Sequence, residues 1–309
     1  MAHHRLASKD LTNSALLTPD DLRRVLDTAA RIKADPTQVA GSLRGRSVVL
    51  LFEKPSLRTR MTFEVGINRL GGHAVYYDHA KERIGQRETI HDYARNLERW
   101  VACIVARTYS QSSIDELARH ARVPVVNALS DAYHPCQSLA DLMTLRERLG
   151  RLEGAHLAYV GDGCNTVVSL MHLCPKAGVH LTVITPPGFG PPSTEIEVAS
   201  GFAREHGTRL SVSTEPAHVA GADAVYTDTW VSMHLEGESD RRERAFQPYR
   251  VDAALMTRAR PGALFMHCLP AHRGEEVTDE VIDSPASVVF DQAENRMHAQ
   301  NALLLHLLG

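Results

Sequence analysis

The chain has 309 residues, which predicts two domains rather than one, and its 43% hydrophobic and 23% charged content excludes global disorder. A formal net charge of -3 argues against nucleic acid or an acidic membrane as a partner. Five cysteines without a CxxC pair predict a reducing, cytoplasmic location. No apolar run approaches the ~20 residues of a membrane helix, and we see no apolar signal core after Met1.

The first half of the chain predicts an alternation of short apolar strands and helices. Residues 47–52 form an apolar run typical of a buried strand, and a helix from about Arg58 ends before the pair Gly71-Gly72. Further strands are predicted at 73–77, 103–106 and 124–127, with a helix at 88–100.

The alternation restarts after a helix predicted at 138–149, which we interpret as a bridge between domains. The following segments predict strands at 156–160, 180–184, 209–212, 224–227 and 263–266, and helices at 166–177, 195–206 and 294–308. Repeated βα alternation predicts an α/β fold with two domains, each a parallel sheet covered by helices, joined by bridging helices. The predicted domains are 1–137 and 138–293, and the last helix, 294–309, is expected to pack back on the first.

The segment from Phe52 to Arg60 lies where a strand ends and a helix begins. Free backbone N–H groups and the positive end of a helix favour an anion at such a place. Ser56 and Thr59 add hydroxyl donors, and Arg58 adds a guanidinium suited to phosphate oxygens. On these residues alone, a phosphate site and a capped helix with surface arginines are equally good interpretations.

Two further positions in the first half have both a functional and a structural interpretation. Arg107 comes directly after a strand, at the edge where α/β sheets place their ligands, although a lone arginine there more often forms a surface ion pair. His134 opens the bridging helix and Gln137 follows it. A histidine at a helix start can hydrogen-bond a ligand carbonyl, cap the helix or belong to the core.

The turn from Gly161 to Asn165 has the Gly-x-Gly spacing of a nucleotide-binding turn. The dinucleotide fingerprint needs a third glycine where Thr166 stands. It also needs an acidic residue at the end of the next strand, which instead ends at Ile184 and continues Thr-Pro-Pro. We therefore predict no NAD site.

Two strands of the second half end in residues that can contact an amino acid. Asp228 and Ser232 follow one strand and are suited to an ammonium and a carboxylate group. Cys268 follows another, next to His267, as a nucleophile, a polar contact or a packed thiol. Nothing in the sequence dedicates a base to this thiol, so covalent catalysis is the weaker interpretation. The histidines and cysteines lack zinc-site spacing, so no metal is predicted.

Taken together, the motifs resemble the ornithine carbamoyltransferase family over nearly the whole chain, from about residue 10 onward. In chain order they are EKPSLRTR, ART, HPCQ, GDGCN, TDTWVSM, HCLP and AENR. HCLP together with WVSM is characteristic of the ornithine branch rather than the aspartate branch. The resemblance implies a transferase that moves the carbamoyl group of carbamoyl phosphate to the side-chain amine of L-ornithine, giving L-citrulline and phosphate without a cofactor.

The resemblance also implies a role for each matching residue. Carbamoyl phosphate would be bound by Ser56, the Leu57 backbone, Arg58, Thr59 and Arg107 at its phosphate, and by His134, Gln137 and Arg296 at its carbamoyl group. The amino-acid part of ornithine would be held by Asn165, Asp228, Ser232 and Met233, with Cys268 and the Leu269 backbone where the amine and the carbamoyl group react. The expected catalytic residues are Arg58, His134, Cys268 and Arg296.

The family further implies a homotrimer with active sites shared between neighbouring subunits. Segment 81–88 matches the loop that reaches across, and we expect Arg83, where relatives commonly carry Gln or His, to contact the phosphate in the adjacent subunit. Three other positions depart from the family pattern: Leu57 replaces a Thr, Cys164 replaces an Asn and His234 replaces a Gly.

These departures leave the acceptor open between ornithine and an N-acylated ornithine, lysine or putrescine. Asp228, Ser232 and Met233 favour a free α-amino acid, because the relatives with other acceptors are expected to alter that loop. A non-catalytic relative is the remaining alternative, and the intact catalytic residues argue against it. Arginine biosynthesis is the expected pathway, although the sequence fits the citrulline-consuming direction as well.

Overall fold

The computed structural model describes residues 5–231 and 239–309, which form two compact units. Unit 1 comprises Met1–Met143 and Glu294–Gly309, and unit 2 comprises Thr144–Ala293. Each unit contains one parallel sheet, with four strands in unit 1 and five in unit 2. The predicted α/β fold with two parallel, helix-covered sheets is confirmed.

The sheet of unit 1 has the strand order β2-β1-β3-β4. Its strands are β1 (Ser47–Phe52), β2 (His73–Asp78), β3 (Cys103–Arg107) and β4 (Val125–Leu129), and the helices between and before them are α1 (Pro19–Ala34), α2 (Leu57–Arg69), α3 (Ile90–Leu97) and α4 (Gln111–His120). The chain turns to opposite sides of the sheet after β1 and after β3. The carboxyl ends of these two strands therefore form the crevice in which open α/β sheets bind ligands.

Two long helices each contain residues of both units: α5 (Pro135–Leu149) and α11 (Val289–Leu308). The unit 1 part of α11 packs against α2 at Gly66, where a Cβ atom would come within 2.2 Å of the Asn301 side chain. The missing side chain at Gly66 thus allows the two helices to approach closely.

Unit 2 has the strand order β7-β6-β5-β8-β9. Its strands are β5 (His156–Val160), β6 (His180–Ile184), β7 (Leu210–Ser213), β8 (Ala224–Thr227) and β9 (Leu264–His267), and its other helices are α6 (Asn165–Lys176), α7 (Ser193–Glu205), α8 (Ser239–Phe246), α9 (Ala253–Met256) and α10 (Asp279–Ile282). The strand order reverses between β5 and β8, so a second crevice lies at their carboxyl ends.

Both sheets are covered by apolar side chains. In unit 1 a buried cluster includes Val49, Leu51 and Ile104, and in unit 2 another includes Val225 and Phe265. Strands buried on both faces read as continuous apolar runs, which is why the sequence identified them. Within 5–231 and 239–309, no helix is both long and apolar enough to cross a membrane.

Candidate active site

The turn between β1 and α2 places polar groups at a helix N-terminus, as predicted. Ser56 is the N-cap of α2: its hydroxyl accepts a hydrogen bond from the Thr59 backbone N–H at 3.3 Å and donates one to Thr59 Oγ1 at 3.1 Å. Leu57 opens the helix with its side chain 74% exposed. The first N–H groups of a helix lack intrahelical partners, so this turn offers donors to an anion.

Arg107 lies at the carboxyl end of β3, opposite Phe52 in the parallel register, and is buried. Glu53, also buried, holds the loops around it: its carboxylate accepts hydrogen bonds from the backbone N–H of Ile84 at 2.9 Å and of Tyr109 at 2.7 Å. The same residue thereby fixes segment 81–88 and the loop after β3. Sequence reasoning missed Glu53, although it stands inside the EKPSLRTR motif.

Arg296 of α11 joins three predicted site residues in unit 1. Its buried guanidinium donates to Thr59 Oγ1 at 2.9 Å, to Gln137 Oε1, and to His134 Nε2 at 3.3 Å. Gln137 in turn donates to Asp141 Oδ1 at 2.9 Å. The last helix therefore brings a cation to the same place as the N-terminus of α2 and the start of α5.

The contact with Arg296 determines the protonation of His134. A guanidinium has only donors, so His134 Nε2 must accept, and the ring proton lies on Nδ1. Burial, with the Arg296 and Arg107 guanidinium groups beside it, lowers the pKa of His134 well below its usual value. The imidazole is therefore neutral at pH 7 and acts by hydrogen bonding rather than as a cation.

Two further cations, Lys54 and Arg83, lie against the ring of Tyr109. The Lys54 ammonium lies 4.6 Å from the centre of the Tyr109 ring, and the Arg83 guanidinium lies 4.4 Å from it. Burial and the Arg107 guanidinium lower the pKa of Lys54 to about 8. Lys54 was missed from the sequence because its burial beside Arg107 depends on the fold. The predicted contact of Arg83 with a neighbouring subunit stays a prediction.

In unit 2, two thiols meet the carboxylate of Asp228 just beyond β8. Asp228 Oδ1 accepts from Cys268 Sγ at 2.9 Å and from the Thr229 N–H at 2.8 Å. Oδ2 accepts from Cys164 Sγ at 3.6 Å. Each carboxylate oxygen offers about two lone pairs, so Oδ2 keeps one for a ligand. The carboxylate can bind an ammonium at that oxygen.

The buried side chains of His267 and Glu276 order the backbone on either side of Cys268. His267, the last residue of β9, accepts the Leu269 N–H at Nδ1 over 2.8 Å. Its ring proton is thus on Nε2, which donates to Glu276 Oε1 at 3.1 Å. Leu269 adopts a positive φ of 58° and precedes a cis Leu269-Pro270 bond. This pair was missed from the sequence, although His267 belongs to HCLP.

Asp228, His267 and Cys268 bring one ligand atom each within 4.8 Å of one another, a grouping that can hold a metal ion. Both nitrogens of His267 are already used in the hydrogen bonds to Leu269 and Glu276. An ion would have to break one of them to gain an imidazole ligand. The absence of a metal stays a prediction from the sequence.

The Gly-x-Gly turn after β5 has a packing role. A Cβ atom on Gly163 would lie 2.2 Å from the Gly190 carbonyl carbon, and the Gly163 N–H donates to Phe189 O at 2.8 Å. Asn165 begins α6 directly after this turn. Ser232, Met233 and His234 lie outside the described residues, so their predicted contacts are not tested by the geometry.

Two protein-family models together match nearly the whole chain. Residues 9–147 match the carbamoyl-P binding domain of aspartate/ornithine carbamoyltransferase, and residues 153–307 match the Asp/Orn binding domain. The chain belongs to the aspartate/ornithine carbamoyltransferase family. The predicted resemblance is confirmed. In this carbamoyltransferase, Thr59, His134 and Gln137 lie in the first match. Asp228, Cys268 and Arg296 lie in the second match, although Arg296 belongs to unit 1.

Individual carbamoyltransferases resemble the chain over its full length. An ornithine carbamoyltransferase from Acidothermus cellulolyticus is 49% identical, with 100% of this chain and 97% of that protein covered. The solved structure of the Pyrococcus furiosus ornithine carbamoyltransferase has a TM-score of 0.92 and 44% identity, covering 98% and 96%. The structure of an acetylornithine transcarbamylase complexed with acetylcitrulline has a TM-score of 0.88 and 30% identity, covering 99% of each chain.

The shifted pKa of Lys54 leads to a prediction about this carbamoyltransferase. We expect the KM for carbamoyl phosphate to rise by up to about tenfold per pH unit above pH 8, because the ammonium then loses the charge that attracts the phosphate. A phosphate dianion bound beside Lys54 raises the pKa of this ammonium. The rise in KM with pH therefore shows that Lys54 lies close to the bound phosphate. The measurement is KM against pH at saturating acceptor.

Lys54→Met should remove this rise, whereas Lys9→Met should leave it unchanged. The Lys9 ammonium instead donates to the Ala121 carbonyl at 2.8 Å and pairs with Asp10 at 3.0 Å. Its replacement is therefore a control for the loss of one ammonium. An identical pH profile in the Lys54 variant would contradict a role for this ammonium in binding.

Cys164 leads to a prediction about stability. It is the N-cap of α6 but makes no side-chain capping hydrogen bond, since its sulfur contacts Asp228 and the Tyr159 hydroxyl instead. Burial and the carboxylates of Asp228 and Asp162 raise the pKa of its thiol, so it remains an S–H donor. Asparagine, which the family resemblance implies at this position, is a strong N-cap.

Cys164→Asn should therefore raise the free energy of unfolding by about 1 kcal/mol, measured by urea denaturation. Cys164→Ala is the control, because it removes the thiol without supplying a cap and should give no gain. If both variants are equally stable, the uncapped helix end does not limit stability.

Proposed function

We propose that the protein is an ornithine carbamoyltransferase, which transfers the carbamoyl group of carbamoyl phosphate to the side-chain amine of L-ornithine and yields L-citrulline and phosphate. The observation that carries this proposal is the pairing of Asp228 with Cys268 at 2.9 Å in the region matching the Asp/Orn binding domain. It combines a carboxylate for the α-ammonium with a thiol for the reacting amine.

In this proposal unit 1 binds carbamoyl phosphate. The N-terminus of α2, with Ser56, the Leu57 N–H, Arg58 and Thr59, holds the phosphate together with Arg107. A helix N-terminus and guanidinium groups are complementary to a phosphate dianion. The buried cluster of Arg296, His134 and Gln137 then faces the carbamoyl group, which is consistent with their mutual hydrogen bonds.

The reaction needs a neutral amine and a stabilised oxygen. A primary amine like that of ornithine has an ordinary pKa of about 10.4, so it must lose a proton before its nitrogen attacks the carbamoyl carbon. The ammonium first releases one proton to solvent. The new C–N bond then forms, the C–O bond to phosphate breaks, and the amine gives its second proton to the leaving phosphate, whose charge is held by arginines. Negative charge grows meanwhile on the carbamoyl oxygen, where Arg296 is placed to donate.

The acceptor is held in the proposal by unit 2. The free lone pair of Asp228 Oδ2 accepts the α-ammonium, and Asn165, Ser232 and Met233 hold the rest of the amino-acid group. Cys268 and the Leu269 backbone contact the side-chain amine. Relatives from 44% to 49% identical over nearly the whole chain are named ornithine carbamoyltransferases, which supports ornithine as the acceptor.

We further propose a cytoplasmic homotrimer that serves arginine biosynthesis. An exposed apolar surface on unit 1 supports contact between copies: Leu57 and Met61 on α2, and Val75 and Tyr77 on the edge strand β2, are all at least 40% exposed. Monomeric proteins rarely expose such grouped apolar side chains. Segment 81–88 follows β2 and supplies Arg83 to the neighbouring site.

Mixed oligomers test the contribution of Arg83. We expect Arg83→Ala and Arg107→Gln each to raise the KM for carbamoyl phosphate strongly. When the two variants are mixed, dissociated and reassembled, about one quarter of the sites in random trimers should regain both arginines and with them normal KM. A mixture no more active than its components would show that Arg83 acts only within its own chain, where it stacks on Tyr109.

A panel of acceptors tests the function itself. The pure protein is incubated with carbamoyl phosphate and ornithine, N-acetylornithine, lysine, putrescine or aspartate, and each ureido product is quantified. Ornithine should give the highest kcat/KM. A preference for another amine would overturn the acceptor but keep the carbamoyl phosphate site, with His234 as the first position to change. No reaction with any amine would indicate a non-catalytic relative.

A further inference from the structure

A row of polar side chains crosses three strands of unit 2 near their amino ends. In the parallel register His156 lies beside His180, and Thr182 lies beside Ser211. His180 and Thr182 are two residues apart, so all four side chains share one face of the sheet. Faces of parallel sheets that are covered by helices are normally apolar. Packing alone does not explain a polar row at this place.

The row forms one wall of a cavity of about 510 Å³. Ser200 and Arg204 of α7 line it from the opposite side, and Thr208 and Arg209 close it before β7. Within the described residues, its lining includes two arginines, two histidines and four hydroxyl groups but no carboxylate. The chain as a whole carries a net charge of -3, so this concentration of bases is local.

Hydrogen bonds hold both imidazoles in place. The His156 imidazole hydrogen-bonds the backbone of Gly221, and its Nε2 lies 2.8 Å from the Thr182 hydroxyl oxygen, which accepts from Ser211 at 3.1 Å. His180 Nδ1 accepts the Arg209 backbone N–H at 3.0 Å, which places its proton on Nε2. His180 therefore keeps an N–H donor for a ligand.

The charges around the histidines leave the cavity positive. Burial lowers the pKa of both, and the Arg209 guanidinium contributes to each shift, so Arg209 lies within electrostatic reach of both rings. The nearby acids are Asp223 beside His156 and Glu153 beside His180. Asp223 is already paired with Arg260 and, at 3.8 Å, with Arg151. Its charge is thus largely compensated outside the cavity.

We propose that this cavity is a binding site for a small tetrahedral oxyanion, such as the phosphate group of a metabolite. Arg204 and Arg209 supply guanidinium donors, Thr208 supplies a hydroxyl, and the two histidines gain protons when the anion binds. The site is independent of the proposed function. It lies near the amino ends of β5 and β6, whereas Arg58, His134 and Cys268 follow the carboxyl ends of strands.

Equilibrium dialysis with radiolabelled sulfate tests the proposal, since sulfate stays a dianion across the pH range. The Arg107→Gln variant is used to weaken the proposed phosphate site in unit 1. In that background we expect one sulfate site per chain. Adding Arg204→Gln and Arg209→Gln should weaken it at least about tenfold. Arg258→Gln, which removes an exposed arginine of unit 2 outside the cavity lining, should not.

The pH dependence provides the second readout. Sulfate binding should strengthen as the pH falls from 8 to 6, because the bound anion favours protonated His156 and His180, and His180→Gln should reduce this dependence. Inorganic phosphate should displace sulfate more effectively than succinate does. No sulfate site in the Arg107→Gln background, unchanged binding in the double arginine variant, or equal competition by succinate would each overturn the assignment.

Discussion

Replacing Arg296 with lysine should lower kcat by about 10²–10³-fold, the usual cost of removing a donor from a developing oxyanion. Lysine keeps the charge but lacks the planar fork that lets Arg296 reach Thr59, Gln137 and His134 at once. In the proposed mechanism this guanidinium meets the carbamoyl oxygen as its charge grows. The KM for carbamoyl phosphate should therefore rise much less than kcat falls.

Steady-state kinetics with both substrates varied would measure the fall in kcat and the rise in KM separately. Arg69→Lys is the matched control, because Arg69 of α2 contacts Met297, the neighbour of Arg296 on α11, at 3.6 Å. This control tests whether a conservative substitution at the contact between α2 and α11 is enough to affect catalysis. Equal losses in the two variants would assign the effect to packing. A rise in KM without a fall in kcat would assign Arg296 to substrate binding alone.

The fold was predictable because its signals are local. Buried parallel strands are short apolar runs, and β1 and β5 were located at their observed bounds. Helix α1 was missed despite its Thr18 and Asp21 capping box, and α11 begins at Val289 rather than at 294. The first helix was recognisable, because the apolar spacing of Leu22, Val25 and Leu26 follows its capping box. The second error concerns a helix start, where bounds are least certain.

The candidate site was predictable through motifs, but its supporting contacts were not. Arg296 lies 159 residues from Gln137 and 237 from Thr59 in sequence, and only the packing of α11 brings them together. The lowered pKa of Lys54 likewise depends on burial beside Arg107. The roles of Glu53 and of the His267 and Glu276 pair depend on backbone N–H groups that no residue pattern reveals.

Asp228→Asn should lower kcat/KM for ornithine by about 10²–10³-fold, because an amide cannot balance the charge of a desolvated α-ammonium. Asparagine keeps the size of the side chain and an oxygen for the Thr229 N–H. The loss should therefore concern the ligand more than the fold. Comparison with 5-aminopentanoate isolates the cause, since this acceptor has the same chain and reacting amine but no α-ammonium.

The variant should react with 5-aminopentanoate as well as the unsubstituted protein does, so that the preference for ornithine disappears. Asp252→Asn is the control for the substitution itself. Asp252 caps α9 in the same unit by accepting the Leu255 N–H at 2.8 Å, a bond that asparagine can also make. If Asp228→Asn slowed both acceptors equally, the carboxylate would act through Cys268, whose thiol it also holds, and not on the α-ammonium.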